Sequence, residues 1–348
     1  MHVEYDEFIA SWPQSFQEAL HLFEQEKLFQ AHRRLSSFEE SLNSLILNSQ
    51  DSPEKLAKLQ EIQREKDANP AVSRIHFQFK QIESLLKSVQ SDEGWSVQHA
   101  GSDCRILYRH EDYTQLHSFK IEVELDVPLL TLMVLVYEIN LYNTVFPFLK
   151  FCNEIAHPHR CTKLAHWCAK APWPLSNRDC IVLGFAADGL DEDGGVIVCS
   201  RSVSSFEGTE IPPPQSRTVR MEMHLGGFLF RPINEARTHV IAVSNMDPKF
   251  TFIPASLMNF ITGHVIRLGV HFVKRRANNL KGSQHEARLS QDKEFYQWLD
   301  NRAKEYLESK GLEYHGLESL MKNSGNQVGS PTSSPQLSPR MEFPVTPK

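Results

Sequence analysis

Four stretches of the chain repeat apolar residues at helical spacing, and between the first and the last of them the period shortens to two. From Ser15 to about Val89 glycine is scarce and Glu, Lys, Gln and Leu dominate. Ser52-Pro53 and Asn69-Pro70 mark helix boundaries there, so three or four helices are predicted. The last is the clearest, because Val72, Ile75, Phe79, Ile82, Leu86 and Val89 fall on one stripe. Such a stripe needs a covering surface, which packing within the segment or an assembly contact with a partner protein would supply.

At Gly94 the pattern changes to alternation. Strand-like runs follow at Trp95–His99, Cys104–His110 and Gln115–Leu125. Pro128 then opens a helical run through Leu129, Leu132, Val136 and Ile139, with a second irregular helical piece at Tyr142–Leu149. A strand region is predicted over Ile155–Ala169, and a hairpin pairs Cys180–Ala187 with Val196–Val203 across an acidic, glycine-ended turn. Val219–Arg231, bent at Gly226-Gly227, and Arg237–Asn245 bring the count to seven or eight mostly antiparallel strands.

Pro254 then stands where a first helical residue belongs, and Leu257, Phe260, Ile261, His264, Val265, Leu268 and Phe272 share one side of a long helix. That helix ends in Lys274-Arg275-Arg276, cations suited to a helix C-terminus. Phe295, Trp298, Leu299 and Tyr306 mark a further amphipathic helix from about Gln291 to Ser309. Past Gly316 the composition collapses to Ser, Pro, Gly and Asn, with Ser330, Ser334, Ser338 and Thr346 each before a proline. A disordered tail is expected, either phosphorylated at those steps or simply solvated. The division is thus a helical segment over 1–90, an α+β domain over 91–280, an appended helix over 290–310 and a tail over 316–348.

Composition narrows what such a chain can do. Apolar residues are 41% and charged residues 23% of the 348, enough to bury a core. Lys and Arg number 37 against 43 Asp and Glu, and a net charge of −6 argues against general nucleic-acid binding. The acidic opening Met1 to Glu7 lacks an apolar core behind it, so no secretory leader is expected and a cytoplasmic location is, peripheral to membranes at most. Six cysteines without C-x-x-C spacing suit reduced thiols, mostly in strands. No nucleophile elbow, phosphate loop or dinucleotide fingerprint is present, so neither enzymatic activity nor a cofactor is predicted. His157, His159 and Cys161 alternate, with His166 and Cys168 beyond, but Pro158 interrupts them and zinc sites close with tighter spacings; no metal is expected. Asp191-Glu192-Asp193 lacks the rest of a calcium loop and suits a solvated hairpin tip.

Ala171-Pro172-Trp173-Pro174-Leu175-Ser176-Asn177-Arg178-Asp179 leads into an apolar strand, and Asp247-Pro248-Lys249 precedes a proline-initiated helix. The first resembles the P-W-P-L-x-x-R-D signature of START (StAR-related lipid transfer) domains. The second resembles their D-x-K-G-x-x-P element, with Phe250 in place of the glycine and Pro254 one residue late. The resemblance covers roughly residues 77 to 280. It implies an α+β helix-grip fold of the START or Bet v1-like kind, in which a curved antiparallel sheet wraps a long C-terminal helix around an apolar tunnel for one lipid.

On that footing Ile181, Leu183 and Phe185 from one strand, and Leu257, Phe260, Ile261, His264 and Leu268 from the helix, are either tunnel lining or ordinary core. Arg178 and Asp179 either fix the turn at the strand entrance or meet a headgroup. Phe206 and Ile211, in a loop stiffened by three prolines, and Lys274, Arg275 and Arg276 are candidates for brief membrane contact. Sterol-carrying relatives bury an acid and an arginine beside the signature, where this chain has Leu164, Ala165, Leu183 and Gly184. Phospholipid, sphingolipid or another hydrophobic molecule remains as ligand. Uptake and intermembrane transfer of that lipid is the first functional expectation; a lipid-sensing scaffold acting through the N-terminal helices and the tail is the second.

Overall fold

Proline placement sets the first helices. In the computed structural model, which describes residues 5–110, 116–171, 175–250, 264–314 and 316, α1 spans Tyr5–Glu24, α2 Leu28–Asn48, α3 Pro53–Ala68 and α4 Pro70–Gln90. Pro53 and Pro70 each stand in a first turn, where a missing N–H costs nothing, and the Asn69 side chain caps α4 by accepting from Ala71 N. α1 begins ten residues before the predicted Ser15: Pro13 lies inside it, and buried Phe8, Phe16 and Ala19 hold both halves on the neighbouring helices.

The sheet has ten strands, more than the pattern suggested. They are β1 Ser96–Ala100, β2 Arg105–His110, β3 His117–Leu125, β4 Leu149–His159, β5 Thr162–Ala169, β6 Asn177–Gly189, β7 Gly195–Ser202, β8 Thr218–Arg220, β9 Glu222–Pro232 and β10 Thr238–Asp247. Nine form one antiparallel path in the order β1-β2-β3-β10-β9-β7-β6-β5-β4, and the short β8 pairs parallel to the start of β6. The strand region predicted over Ile155–Ala169 is a hairpin: β4 begins at Leu149, turns at Arg160 and Cys161, and returns as β5. That turn contains no glycine, proline, asparagine or aspartate to announce it. After β3, α5 spans Leu129–Tyr137, followed by a 3-10 turn at Ile139–Leu141 and a one-turn α6 at Tyr142–Val145, shorter than expected because Leu149 already pairs with Ala169.

Both faces of the curved sheet are covered. On the outer face, Phe185, Ala187, Ile197, Cys199, Leu229, Ile241 and Val243 join the buried residues of α1–α4 in one core. α4 crosses this face closely: a Cβ on Gly227 would stand 2.5 Å from the Val198 carbonyl oxygen of the neighbouring strand and 2.8 Å from Leu85 Cδ2 of α4, so strand and helix together require glycine there. Lys120 of β3, fully buried, donates from Nζ to the carbonyls of Ser88 at 3.0 Å and Ser91 at 2.9 Å and reaches Asp92 at 2.5 Å. It thereby closes the C-terminus of α4 with a cation.

The inner face is covered by α5 and by three later helices, α7 Ile266–Asn278, α8 Gln284–Gln291 and α9 Lys293–Ser309. Tyr296 of α9 donates from its hydroxyl to buried Glu138 at 2.6 Å and ties α9 to the end of α5. All six cysteines are unpaired, and Cys152, Cys168, Cys180 and Cys199 lie in strands. No helix of the described residues is long and apolar enough to cross a membrane. The proline-linked Ser330, Ser334, Ser338 and Thr346 lie outside the described residues.

Candidate ligand cavity

Alternation along β6 divides its side chains between two environments. Arg178, Val182, Gly184, Ala186 and Asp188 line a cavity of about 670 Å³ on the inner face, within the range of small-ligand pockets. Lys163, Ala165, Trp167 and Ala169 of β5, Val196, Val198 and Ser200 of β7, and Met221, Met223, Phe228 and Met246 extend the same wall. Leu130, Met133 and Val136 of α5, Tyr142, Phe146 and Phe148 after it, and Phe295, Trp298 and Leu299 of α9 form the opposite side. Most of these groups have nothing to offer but dispersion and the exclusion of water.

Polar groups gather at the two ends, which Arg178 and Asp188 mark ~33 Å apart along β6 at ~3.3 Å per residue. At one end Arg178 donates from Nε to the Pro248 carbonyl at 2.6 Å and from Nη1 to the Ser176 carbonyl at 2.6 Å. Its guanidinium lies 4.0 Å over the Phe250 ring, and burial lowers its pKa from the usual arginine value. Among the described residues no carboxylate pairs with it, and Nη2 has no partner. Lys170, also at this end, donates to the Pro147 carbonyl at 2.9 Å. At the other end Asp188 is bound by Arg302 of α9, Lys163 pairs with Glu154 at 2.9 Å, and Glu26 enters from the turn between α1 and α2.

Asp179, adjacent to Arg178, points the other way. It is fully buried and accepts from His166 Nε2 at 2.8 Å and from Arg220 Nε and Nη2 at 2.9 Å each. Burial alone would raise its pKa, but the hydrogen bonds from Arg220 and His166 outweigh it and hold the carboxyl below the ordinary range. Arg220 Nη2 also donates to the Pro212 carbonyl at 2.8 Å, so this cluster anchors the proline loop. The signature thus separates at Arg178-Asp179 into a cavity cation and a structural anion.

The other sequence-predicted residues distribute as follows. Ile181 and Leu183 share Asp179's side of β6 and are absent from the lining, while Phe185 borders the cavity yet packs into the outer core. Leu257, Phe260 and Ile261 lie outside the described residues. His264 and Leu268, the latter 37% exposed, face a separate shallow groove with Asp103, Arg267, His271 and Lys274. Phe206 and Ile211 are half-buried in the proline loop, Arg275 is exposed at the end of α7, and Arg276 donates to the Thr144 carbonyl at 3.0 Å.

Sequence reasoning missed Trp167, Met221, Met223, Phe146 and the α9 residues. Phe295, Trp298 and Leu299 belong to the predicted amphipathic stripe, whose spacing does not reveal the surface it covers. Glu26 left no signal at all. Among the described residues, one trio of metal-ligating groups converges, His99, Asp103 and Cys104. There Asp103 already accepts from His99 Nε2 at 2.9 Å and from Arg267 Nε at 2.7 Å, an arginine where a cation would sit.

A family model of the START domain matches residues 76–281. Among solved structures, human STARD10 superposes with a TM-score of 0.50 at 19% identity, over 64% of this chain and 86% of that one. Human StAR-related lipid transfer protein 5 does so with a TM-score of 0.52 at 14% identity, over 59% of this chain and 96% of that one. At these identities the likeness is one of fold, and the curved sheet with helices against its inner face is the helix-grip arrangement. A homeobox-leucine zipper protein of Arabidopsis thaliana, ATHB-14, is 41% identical over 56 residues, which span 16% of this chain and 7% of that protein. With well over half of its length matched by the family model, the chain belongs to the START domain family.

Proposed function

We propose that the chain takes up one lipid in the inner-face cavity and carries it between membranes without covalent chemistry. The observation that carries this reading is the apolar cavity of about 670 Å³ with two cations at one end, Arg178 and Lys170, left without a carboxylate among the described residues. A lipid leaving a bilayer exposes its chains at about 0.8 kcal/mol per methylene, so ten methylenes cost about 8 kcal/mol unless the carrier offers an equivalent apolar wall. Arg178 retains donors for a phosphate or carboxylate at the cavity end, and one of the human structures of like fold is by name a StAR-related lipid transfer protein.

The test is extraction from mixed liposomes, with the lipid on the re-isolated protein identified by mass spectrometry and its delivery to acceptor liposomes followed in time. Wild-type protein is expected to carry one lipid per chain. Arg178→Met should weaken uptake of an anionic or phosphate-bearing lipid about tenfold or more, since a charged hydrogen bond is lost, and Arg178→Lys should restore part of it. Protein that emerges empty, or an Arg178→Met variant that extracts as well as wild type, refutes the reading or its headgroup assignment respectively. Uptake without delivery would favour a sensor, the second expectation of the sequence.

A further inference from the structure

The family match begins at residue 76, yet the cavity does not belong to the matched residues alone. Glu26 sits in the turn between α1 and α2 with φ at +63°, a left-handed conformation that a glutamate adopts only where its surroundings hold it. Its carbonyl accepts from Asp188 N at 3.0 Å, which pins the turn to the end of β6, and its side chain meets Cys161 of the β4–β5 turn. The other polar groups at this end already have partners: Asp188 has Arg302, Lys163 has Glu154 and the Tyr137 carbonyl, and the Tyr137 hydroxyl has the Arg160 carbonyl. Glu26 faces the cavity with the thiol and backbone N–H of Cys161 beside it and the charge of Arg160 nearby, and no cation hydrogen-bonds its carboxyl among the described residues.

We infer that the α1–α2 turn is part of the ligand site, with Glu26 as a specificity-determining residue that selects an apolar ligand bearing a hydroxyl at the end remote from Arg178. This rests on the lipid-binding reading above. A hydroxyl both donates and accepts, so it satisfies a carboxyl in either protonation state, and it brings no charge into an apolar cavity, where an ammonium or phosphate would have to be desolvated. Burial pushes the Glu26 carboxyl up to about 7 against the opposing pull of Arg160, so both of its states are accessible near neutral pH.

The experiment uses the full chain and phosphatidylcholine liposomes carrying equal amounts of 1-octadecanol and its methyl ether, the lipid on the re-isolated protein being counted by mass spectrometry. The two probes share a chain and differ in the hydroxyl donor. Wild type is expected to take the alcohol about tenfold over the ether, the factor that corresponds to one unpaired buried group. Glu26→Gly removes the carboxyl at a backbone conformation glycine accepts freely, so the fold should persist while the preference falls to about one. Glu26→Gln, which retains a donor and an acceptor at the same length, should keep most of it. Equal uptake by wild type, uptake of phosphatidylcholine with neither probe, or an undiminished preference in Glu26→Gly overturns this inference alone. Wild-type protein empty of all three lipids overturns the lipid-binding reading with it.

Discussion

His285, near the start of α8, lies at 0% exposure, and neither of its ring nitrogens has a hydrogen-bond partner among the described residues. Burial, reinforced by the charge of Arg276, lowers its pKa from the ordinary 6.5 to about 4. The folded chain therefore holds the ring neutral where the unfolded chain already takes up a proton. The stability that the neutral ring permits is complete above pH 6.5 and is lost progressively as pH falls toward 4. His285→Leu removes two unpaired polar atoms from the core and should raise stability by about 1–3 kcal/mol at neutral pH. The gap between variant and wild type should widen at pH 5. Urea midpoints at pH 7 and pH 5 measure both quantities, and a gap that stays constant between them would show that the histidine finds a partner. No periodicity in the sequence marked this position, because a histidine among Gln284, Glu286 and Arg288 reads as one more polar residue on a surface helix.

At the scale of elements, β6 explains what could be read from the letters and what could not. Its central run, predicted as Cys180–Ala187, and its pairing with β7 were legible from the apolar residues after Arg178-Asp179 and from the acidic, glycine-ended turn, while the extensions to Asn177 and Gly189 were not. Its parity was not. A strand covered on one face only alternates apolar with polar and so declares which face is buried, whereas β6 meets the helical segment on one side and the cavity on the other. Both sets of positions are apolar, and Ile181, Leu183 and Phe185 looked as eligible for lining as Val182, Gly184 and Ala186. Lys120 is the converse case. Between Phe119 and Ile121 it should face solvent by pattern, but it reaches the end of α4, a contact between residues thirty positions apart that no local signal encodes. Lys120→Met would leave the Ser88 and Ser91 carbonyls without their donor beneath the Trp95 ring, over which the ammonium sits at 5.4 Å. A loss of about 2–3 kcal/mol is expected, read as a lower thermal midpoint with unchanged circular dichroism below it. A midpoint within a degree of wild type would mean that α4 ends without help from β3.

Across the whole molecule, the helical segment and the sheet share one core. Leu28, Leu35 and Phe38 of α2 belong to the same buried cluster as Ile75, Ile82 and Leu85 of α4 and Phe185, Ile197 and Leu229 of the sheet, so the boundary of the family match at residue 76 passes through the middle of a helix and of that cluster. A chain cut to 70–314 keeps α4 intact and retains all ten strands and the inner helices, but it removes the cover from α4's far side and takes Glu26 away from the cavity end. The apolar surface so exposed exceeds what single scattered residues present, and patches of that kind drive association. The cut chain is therefore expected to run as oligomers in size-exclusion chromatography, to bind a hydrophobic dye that the full chain excludes, and to unfold at a lower temperature. A monomeric 70–314 with the thermal midpoint of the full chain would show that α1–α3 lie against the sheet without stabilising it. Charge distinguishes the two chains: residues 70–314 carry a net charge of only −1 against −6 for the full chain, so like-charge repulsion scarcely opposes association once α1–α3 are removed. Raising the salt concentration should therefore leave the oligomers of the cut chain intact, because there is little repulsion to screen, whereas oligomers that dissolve in salt would show that ion pairs and not apolar contact hold them.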